Sequence, residues 1–214
     1  SSDRSVAAAV EKDRAIARDT AEDPAAGLAD ESRLESNWAD LDLYHPWDLS
    51  VEAAIELGRV AEAAALGVDA RITNSEGATV ARSESEFMYA NSAGFGGGYR
   101  TSRHHIDCAV VGDEGDTMQR DYWYTAARAP GDLESAESVG RVAGERTARR
   151  LGARQLGTME CPVLFEAPEA ADLIGAFVGA VSGGALYRKS SFLLDSLGQP
   201  VFSANVSIRE DPHI

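Results

Sequence analysis

The amino-acid sequence predicts an α+β fold, in which helices flank an antiparallel sheet meander. Apolar side chains recur at helical spacing after Ser50, a suitable N-cap residue, until Gly67 ends the pattern. After residue 70 the apolar side chains alternate with polar ones, which is typical of half-buried strands. A further helix is predicted from Leu133 to Leu151, so the predicted strands lie between two helices. This order of helices and strands is the basis of the predicted class.

The predicted sheet is built from short segments between residues 70 and 128. The sequence Asn-Ser-Glu-Gly at 74–77 predicts a tight hairpin, and the glycine-rich run 94–98 predicts a flexible turn between later strands. Alternation places Ile106, Cys108 and Val110 on one face of a strand. The predicted strands are 70–73, 78–82, 86–91, 105–111 and 118–128.

A change in composition near residues 155–157 predicts two domains, 1–155 and 156–214. The first begins with a predicted helix at 2–20 and a loop at 21–47. The second is predicted to be the start of a mostly β domain, with strands at 162–166, 192–195 and 200–208 around one apolar helix. No closing element follows, so we expect the chain to be a fragment of a longer protein.

The apolar helix of the second domain starts at Pro168 and Glu169, which are favourable in a first helical turn, and continues to Val181. One face is apolar and the other carries glycine and alanine, so we expect the helix to be buried. The small residues fit two arrangements, which the pattern leaves open. Either the helix is the core of one domain, or a second helix or another subunit approaches it closely.

Composition and charge exclude several classes of protein. The apolar content of 44% is enough for a core, whereas the net charge of -15 disfavours direct binding to nucleic acid or to an anionic membrane. The longest apolar run is too short to span a bilayer. The two cysteines, Cys108 and Cys161, are far apart, and no secretory leader pattern is present, so we expect a cytoplasmic protein.

The common catalytic and metal-binding motifs are missing. His104 and His105 are neighbours on a predicted strand and therefore point to opposite faces, while His45 and His213 lie in a loop and at the chain end. The residues around Ser182 do not form a Gly-x-Ser-x-Gly elbow. A strand, not a helix, follows the glycine run 94–98, which disfavours a phosphate site. The sequence thus predicts no catalytic residue and no metal ligand in this chain.

Seven segments resemble one known family. The chain resembles the PmbA (TldE) branch of the TldD/PmbA metallopeptidase family, whose older label is modulator of DNA gyrase and whose members are about twice as long. The resemblance is strongest around the run Tyr-Arg-Lys-Ser-Ser-Phe-Leu-Leu-Asp-Ser, which begins at Tyr187. The segments are 41–46, 71–77, 120–122, 162–165, 178–184, 186–198 and 211–213.

The resemblance implies a cytosolic metallopeptidase of two homologous subunits, TldD and TldE, which cleaves unfolded or extended peptides. It implies that zinc is held by a His-Glu-x-x-x-His motif on a helix of the TldD-type partner. At the matching positions this chain has Gly175, Ala176, Phe177, Val178, Gly179 and Ala180. We therefore expect zinc on the partner, no cleavage by this chain alone, and only an indirect effect on gyrase.

On the basis of this resemblance we expect the segment after this helix to form a wall of the chamber that faces the partner's zinc helix. Arg188 and Lys189 would hold a substrate carboxylate or the partner's acidic surface, although an ion pair within the domain is an equal alternative. The run 192–194 would pair with an extended peptide. The residues predicted to bind peptide or partner are Ser182, Gly183, Gly184, Tyr187, Arg188, Lys189, Ser190 and Ser191.

Two other functions remain open at the level of sequence. One is a stand-alone protein that binds peptides or regulates without cleaving them. The other is a self-sufficient hydrolase that uses residues outside the recognised motifs. The sequence also leaves open whether the partner is a TldD-type subunit or a second copy of this chain.

Overall fold

The computed structural model describes residues 3–23, 26–35 and 37–211. The predicted loop residue Pro24 and the C-terminal His213 lie outside these residues. The chain divides into two compact units, Ser1–Gly152 and Ala153–Ile214.

The first unit is an antiparallel sheet with helices, which confirms the predicted α+β class. Its three strands occur in the order β1-β2-β3, and each pairs antiparallel with the next. The elements are α1 (Asp3–Asp19), α2 (Val51–Leu66), β1 (Ile72–Ala90), β2 (Gly96–Glu114), β3 (Thr117–Ala127) and α3 (Ala136–Arg150).

Local sequence signals explain where α2 begins and ends. The Ser50 hydroxyl accepts a hydrogen bond from the Ala53 N–H at 3.2 Å, and the Gly67 N–H donates to the Ala63 carbonyl at 3.0 Å. Both groups satisfy backbone atoms that a helix end leaves unpaired. The predicted helix 50–67 is therefore confirmed.

The predicted hairpin at residues 74–77 is wrong, because β1 continues through this segment. The pairing between β1 and β2 shifts twice here, between Ile72 and Asn74 and between Ser75 and Gly77. Gly77 has a φ of 106°, a conformation that glycine adopts without strain. Asn, Ser and Gly favour tight turns, but they also suit a β-bulge, where an extra residue is accommodated in a continuing strand.

The turn that joins β1 to β2 lies at residues 91–95. The Asn91 side-chain oxygen accepts hydrogen bonds from the N–H groups of Ala93 and Phe95, both at 3.1 Å. Gly94 has a φ of 88°, whereas residues 96–98 already belong to β2. The predicted glycine loop 94–98 is thus correct only for its first two residues.

The core of the first unit lies between the sheet and the helices α2 and α3. Ile106, Cys108 and Val110 are buried on one face of β2, as their alternation predicts. The opposing helices contribute small side chains, which allow close packing. The buried apolar residues of α2 and α3 are Ala61, Ala65, Ala136, Val139 and Ala143.

The second unit contains α4 (Ala167–Val181) and α5 (Gly183–Tyr187), and its described residues form no strand. The strands predicted at 162–166, 192–195 and 200–208 do not form, because an apolar run becomes a strand only where another strand pairs with it. The predicted start of α4 with Pro168 in its first turn is confirmed.

The predicted burial of α4 is not found, since none of its described residues is buried. Leu173 and Val178 are 48% and 56% exposed, and the packing includes an edge-to-face contact of Phe177 with Phe202 at 5.1 Å. The apolar pattern correctly predicts a helix, but the described part of this unit supplies no sheet to cover it. None of the described helices has the length and apolar character needed to cross a lipid bilayer.

Candidate functional site

The predicted binding segment 182–191 folds into one short helical turn and its two caps. Ser182 ends α4, and its hydroxyl accepts a hydrogen bond from the Ala185 N–H at 3.3 Å at the start of α5. Ser190 closes the other end, where its N–H donates to the Ala185 carbonyl at 2.9 Å. The Ser190 hydroxyl donates to the same carbonyl at 3.3 Å, so the hydroxyls of Ser182 and Ser190 both bond to the local backbone, and Gly183 and Gly184 lie between them.

Two exposed cations follow α5. Among the described residues, neither the Arg188 nor the Lys189 side chain forms an ion pair or a hydrogen bond, so the expected alternative of an ion pair within the domain is not found here. Lys189 has a φ of 53°, a left-handed conformation that is uncommon for a residue with a side chain. The Arg188 guanidinium lies 3.2 Å from where a Cβ at Gly184 would be. Tyr187 beside them is 74% exposed.

Residues 175–180 of α4 carry none of the side chains that bind zinc, and the carboxylates of this helix, Glu169 and Asp172, lie before them. Zinc in proteins is held by sulfur, imidazole nitrogen or carboxylate oxygen. Apart from the neighbouring residues and the backbone of α4 itself, no atom of the described residues lies within 4 Å of where a Cβ would stand at Gly175 or at Gly179. Over residues 3–23, 26–35 and 37–211, no three His, Cys, Asp or Glu side chains converge to hold a metal ion.

The two adjacent histidines lie on opposite faces of β2, as the sequence predicts. His104 is fully buried, and its Nε2 is 2.8 Å from the His45 carbonyl oxygen. His105 lies on the other face, where its Nε2 is 3.0 Å from the Asp107 carboxylate. Since the two imidazoles point apart, they cannot share a ligand.

The first unit contains a groove of about 1170 Å³ that the sequence analysis did not predict. It lies beside residues 97–101 of β2, with the segment 38–44 on its other side and Arg128 at the end of β3. Its aromatic lining is rich for such a small region. The aromatic residues are Trp38, Tyr44, Phe87, Tyr89, Phe95 and Tyr99.

Tyr44 is fixed at this groove by two charged residues. Its hydroxyl donates a hydrogen bond to Glu84 at 2.6 Å and accepts one from Arg100, and the Arg100 guanidinium lies 3.7 Å from the centre of the ring. The hydrogen bond to Glu84 raises the pKa of the Tyr44 phenol. These contacts hold the segment that carries Tyr44 against the β1–β2 hairpin.

A second contact holds the other end of this segment. The Trp38 indole lies over Gly97, where a Cβ would come within 2.9 Å of the ring, and the Trp38 and Phe95 rings are 5.9 Å apart. Glycine at position 97 thus makes room for the indole. Three glycines in a row among aromatic residues are the one sequence signal that could have located this groove.

Two family models match the chain. The PmbA/TldA metallopeptidase central domain matches residues 44–151, and the PmbA/TldA metallopeptidase C-terminal domain matches residues 158–214. The groove and the sheet lie in the first match, while α4 and the segment 182–191 lie in the second.

Curated relatives agree with these matches. Metalloprotease PmbA of Escherichia coli O157:H7 is 44% identical over 100% of this chain and 47% of its own length. The Metalloprotease PmbA homolog of Haemophilus influenzae is 41% identical over the same shares of the two chains. The chain therefore spans about half the length of the curated relatives it matches.

Solved structures share the fold. A protein from Bacteroides thetaiotaomicron, described as a putative modulator of DNA gyrase, has a TM-score of 0.76 and 28% identity, covering 84% of this chain and 41% of that one. A Thermotoga maritima protein with the same description has a TM-score of 0.69 at 19% identity, covering 76% and 38% of the two chains. The second likeness supports the fold alone.

Proposed function

This chain belongs to the PmbA/TldD metallopeptidase family, and we propose that it serves as a non-catalytic subunit of a zinc metallopeptidase that acts on unfolded or extended peptides. In this proposal a homologous TldD-type subunit carries the zinc. The present chain completes the chamber that receives the peptide.

The composition of α4 is the observation that carries the proposal. A zinc-activated water needs protein ligands and a general base, and residues 175–180 provide neither. In this proposal the homologous subunit supplies these groups. Small and apolar side chains, all exposed or half-buried on α4, fit a helix that another chain covers.

The segment 182–191 is the proposed contact with peptide or partner. Arg188 and Lys189 are exposed next to each other, and a guanidinium binds a carboxylate through two parallel hydrogen bonds. The run 192–194 contributes no strand pairing to this proposal, because it forms turns in which the Leu193 N–H bonds to the Ser191 hydroxyl at 3.0 Å. The two cations and Tyr187 therefore carry the proposed interaction.

The decisive experiment compares the full-length protein alone with the same protein mixed with a TldD-type subunit. We expect cleavage of a fluorogenic unfolded peptide only in the mixture, and loss of cleavage on addition of a zinc chelator. Cleavage by the lone protein, or one zinc per lone chain by elemental analysis, would contradict the proposal. Failure of the two proteins to co-elute would instead favour the stand-alone peptide-binding function.

The variant Arg188→Ala tests the role of the segment. We expect peptidase activity of the mixture to fall about tenfold or more, because charge-assisted hydrogen bonds contribute more than neutral ones. Arg154→Ala, which removes another exposed arginine of the same unit, is the matched control and should leave activity unchanged. If both variants have equal peptidase activity and their thermal unfolding is unaltered, Arg188 does not belong to the proposed contact.

An effect on DNA gyrase, as the description of the Bacteroides protein suggests for that protein, would be indirect in this proposal. A chain with a net charge of -15 repels the phosphate backbone of DNA. Cleavage of another protein that itself affects gyrase would link the peptidase to gyrase without any contact between this chain and DNA.

A further inference from the structure

The groove of the first unit lies beside an edge of β2 with which no described strand pairs. Strand β3 ends at Ala127, which pairs with His104 of β2, so β3 does not reach the residues of β2 before His104. At Ser102, two residues before His104, the segment 38–44 takes the place of a strand, because the Ser102 N–H donates to the Leu43 carbonyl at 3.0 Å.

The open edge continues at Arg100 and Gly98. In an antiparallel sheet the N–H and C=O groups of alternate residues point to the same side, and the pairing of β1 with β2 has no bulge between residues 96 and 108. The backbone groups of Arg100 and Gly98 therefore point away from β1, as those of Ser102 do. Among the described residues, no hydrogen bond to these groups from the groove side is found.

The groove lies beside the part of β2 with which β3 does not pair. Residues 97–101 of β2, which belong to both faces of the sheet, line it together with the segment 38–44. The N–H and C=O groups of alternate residues on such an edge match those of another extended backbone. Aromatic rings beside them offer apolar contacts for its side chains.

The groove lining carries charges of both signs: Asp40 and Asp42 lie on the segment 38–44, Arg100 lies on β2 and Arg128 follows β3. Arg128 is exposed, and within the described part of the chain its guanidinium has no ion pair or hydrogen bond. Arg100 lies at the edge itself, although Glu84 and Tyr44 already contact its side chain. The unpaired Arg128 complements a carboxylate on the occupant.

We propose that an extended polypeptide segment with an acidic side chain binds in this groove as an added strand on the edge of β2. Its backbone pairs with Gly98 and Arg100, and its carboxylate contacts Arg128. This inference concerns the first unit alone. It goes beyond the proposed function, since it requires neither the partner subunit nor zinc.

The first test uses the full chain and a fluorescein-labelled peptide of alternating valine and glutamate, about nine residues long, as a typical strand is. We expect saturable binding by fluorescence anisotropy. The same peptide with N-methylated backbone amides should lose binding, because it keeps its side chains but cannot donate to a strand edge. Equal binding of both peptides, or no binding of either, would overturn the proposal.

A pair of variants separates the backbone of Arg100 from its side chain. Arg100→Ala keeps the N–H and removes the guanidinium, whereas Arg100→Pro removes both, and proline is tolerated at an open strand edge. We expect Arg100→Pro to bind the peptide at least about fivefold more weakly than Arg100→Ala, the loss of about one hydrogen bond. Equal affinity of the two variants, each folded by circular dichroism, would contradict strand addition.

The carboxylate contact has its own control. Arg128→Gln should lower the affinity for the valine–glutamate peptide severalfold but leave the affinity for a valine–glutamine peptide unchanged. Arg103 is an exposed residue of β2 outside the groove lining, so Arg103→Gln should change neither affinity. An equal loss for both peptides would exclude the carboxylate contact. If sedimentation shows that the chain associates with itself, and Arg100→Pro abolishes this association, the edge binds a second copy of the chain and the proposal is overturned.

Discussion

At the scale of single residues, Arg71 joins the start of β1 to the end of β2. Its guanidinium donates two hydrogen bonds to Asp69, at 3.0 and 2.8 Å, and a third to Glu114 at 3.0 Å. These bonds favour the ionised carboxylate and lower the pKa of Asp69 to about 2, from the usual 3.8. Asp69 also accepts the Arg71 N–H at 2.9 Å, so the same carboxylate fixes the turn before the strand.

The titration of Asp69 should therefore depend on Arg71. A carboxyl group whose folded-state pKa is below its unfolded value contributes stability above pH 4, and this contribution is lost as the pH falls through 2. In Arg71→Gln we expect the Asp69 midpoint to rise toward 3.8 in a carbon-detected NMR titration. Arg103→Gln is the control and should not move it. A wild-type midpoint near the usual value would contradict the role of Arg71.

At the scale of elements, the contact between α2 and α3 depends on glycine. Gly140 of α3 lies against the backbone of α2, and a Cβ at this position would come within 1.9 Å of the Ala61 carbonyl oxygen. Gly144 is similar, with the Ala65 carbonyl oxygen at 2.6 Å from such a Cβ. A backbone atom cannot move aside as a flexible side chain can, so any larger residue must separate the helices.

Gly140→Ala should consequently destabilise the first unit by about 2 kcal/mol or more, the range of overpacked cores. Gly58→Ala in α2 is the matched control, because its Cβ would meet Ala78 at an ordinary 3.9 Å, and we expect it to be neutral or stabilising by about 0.5 to 1 kcal/mol. Urea unfolding followed by tryptophan fluorescence measures both, since all three tryptophans belong to this unit. Equal stability of the two variants would show that the helices separate without cost.

The same scale shows what the sequence could and could not predict. The helices α2 and α4 and the buried face of β2 follow from caps and periodicity, which are local signals. Whether residues 74–77 form a turn or a bulge depends on pairing with β2, about 35 residues later in the chain, and their composition suits both. The candidate sites differ in the same way. Segment 182–191 is contiguous and carries a motif, whereas the groove joins Tyr44 to Arg100, which are 56 residues apart.

At the scale of the whole molecule, the two units present different chemistry. The first unit has a buried core and a groove with an open strand edge, whereas α4 of the second unit has no buried residue among those described. The proposals follow this division. Strand addition belongs to the first unit and is tested on the lone chain, while assembly with a zinc-bearing subunit belongs to the second and is tested on the mixture, so either proposal can fail without the other.

The net charge of the whole chain leads to a last prediction, on nucleic acid. Proteins that bind DNA nonspecifically do so with dissociation constants of about 10⁻⁴ to 10⁻⁶ M, through lysine and arginine on phosphates. A net charge of -15 opposes such contacts, so we expect no binding of a fluorescent DNA duplex at physiological salt and none at low salt, where electrostatic attraction would be strongest. A basic DNA-binding protein serves as the positive control. Binding that weakens as salt is added would contradict this expectation, because only a local cluster of cations, strong enough to overcome the overall charge, could produce it.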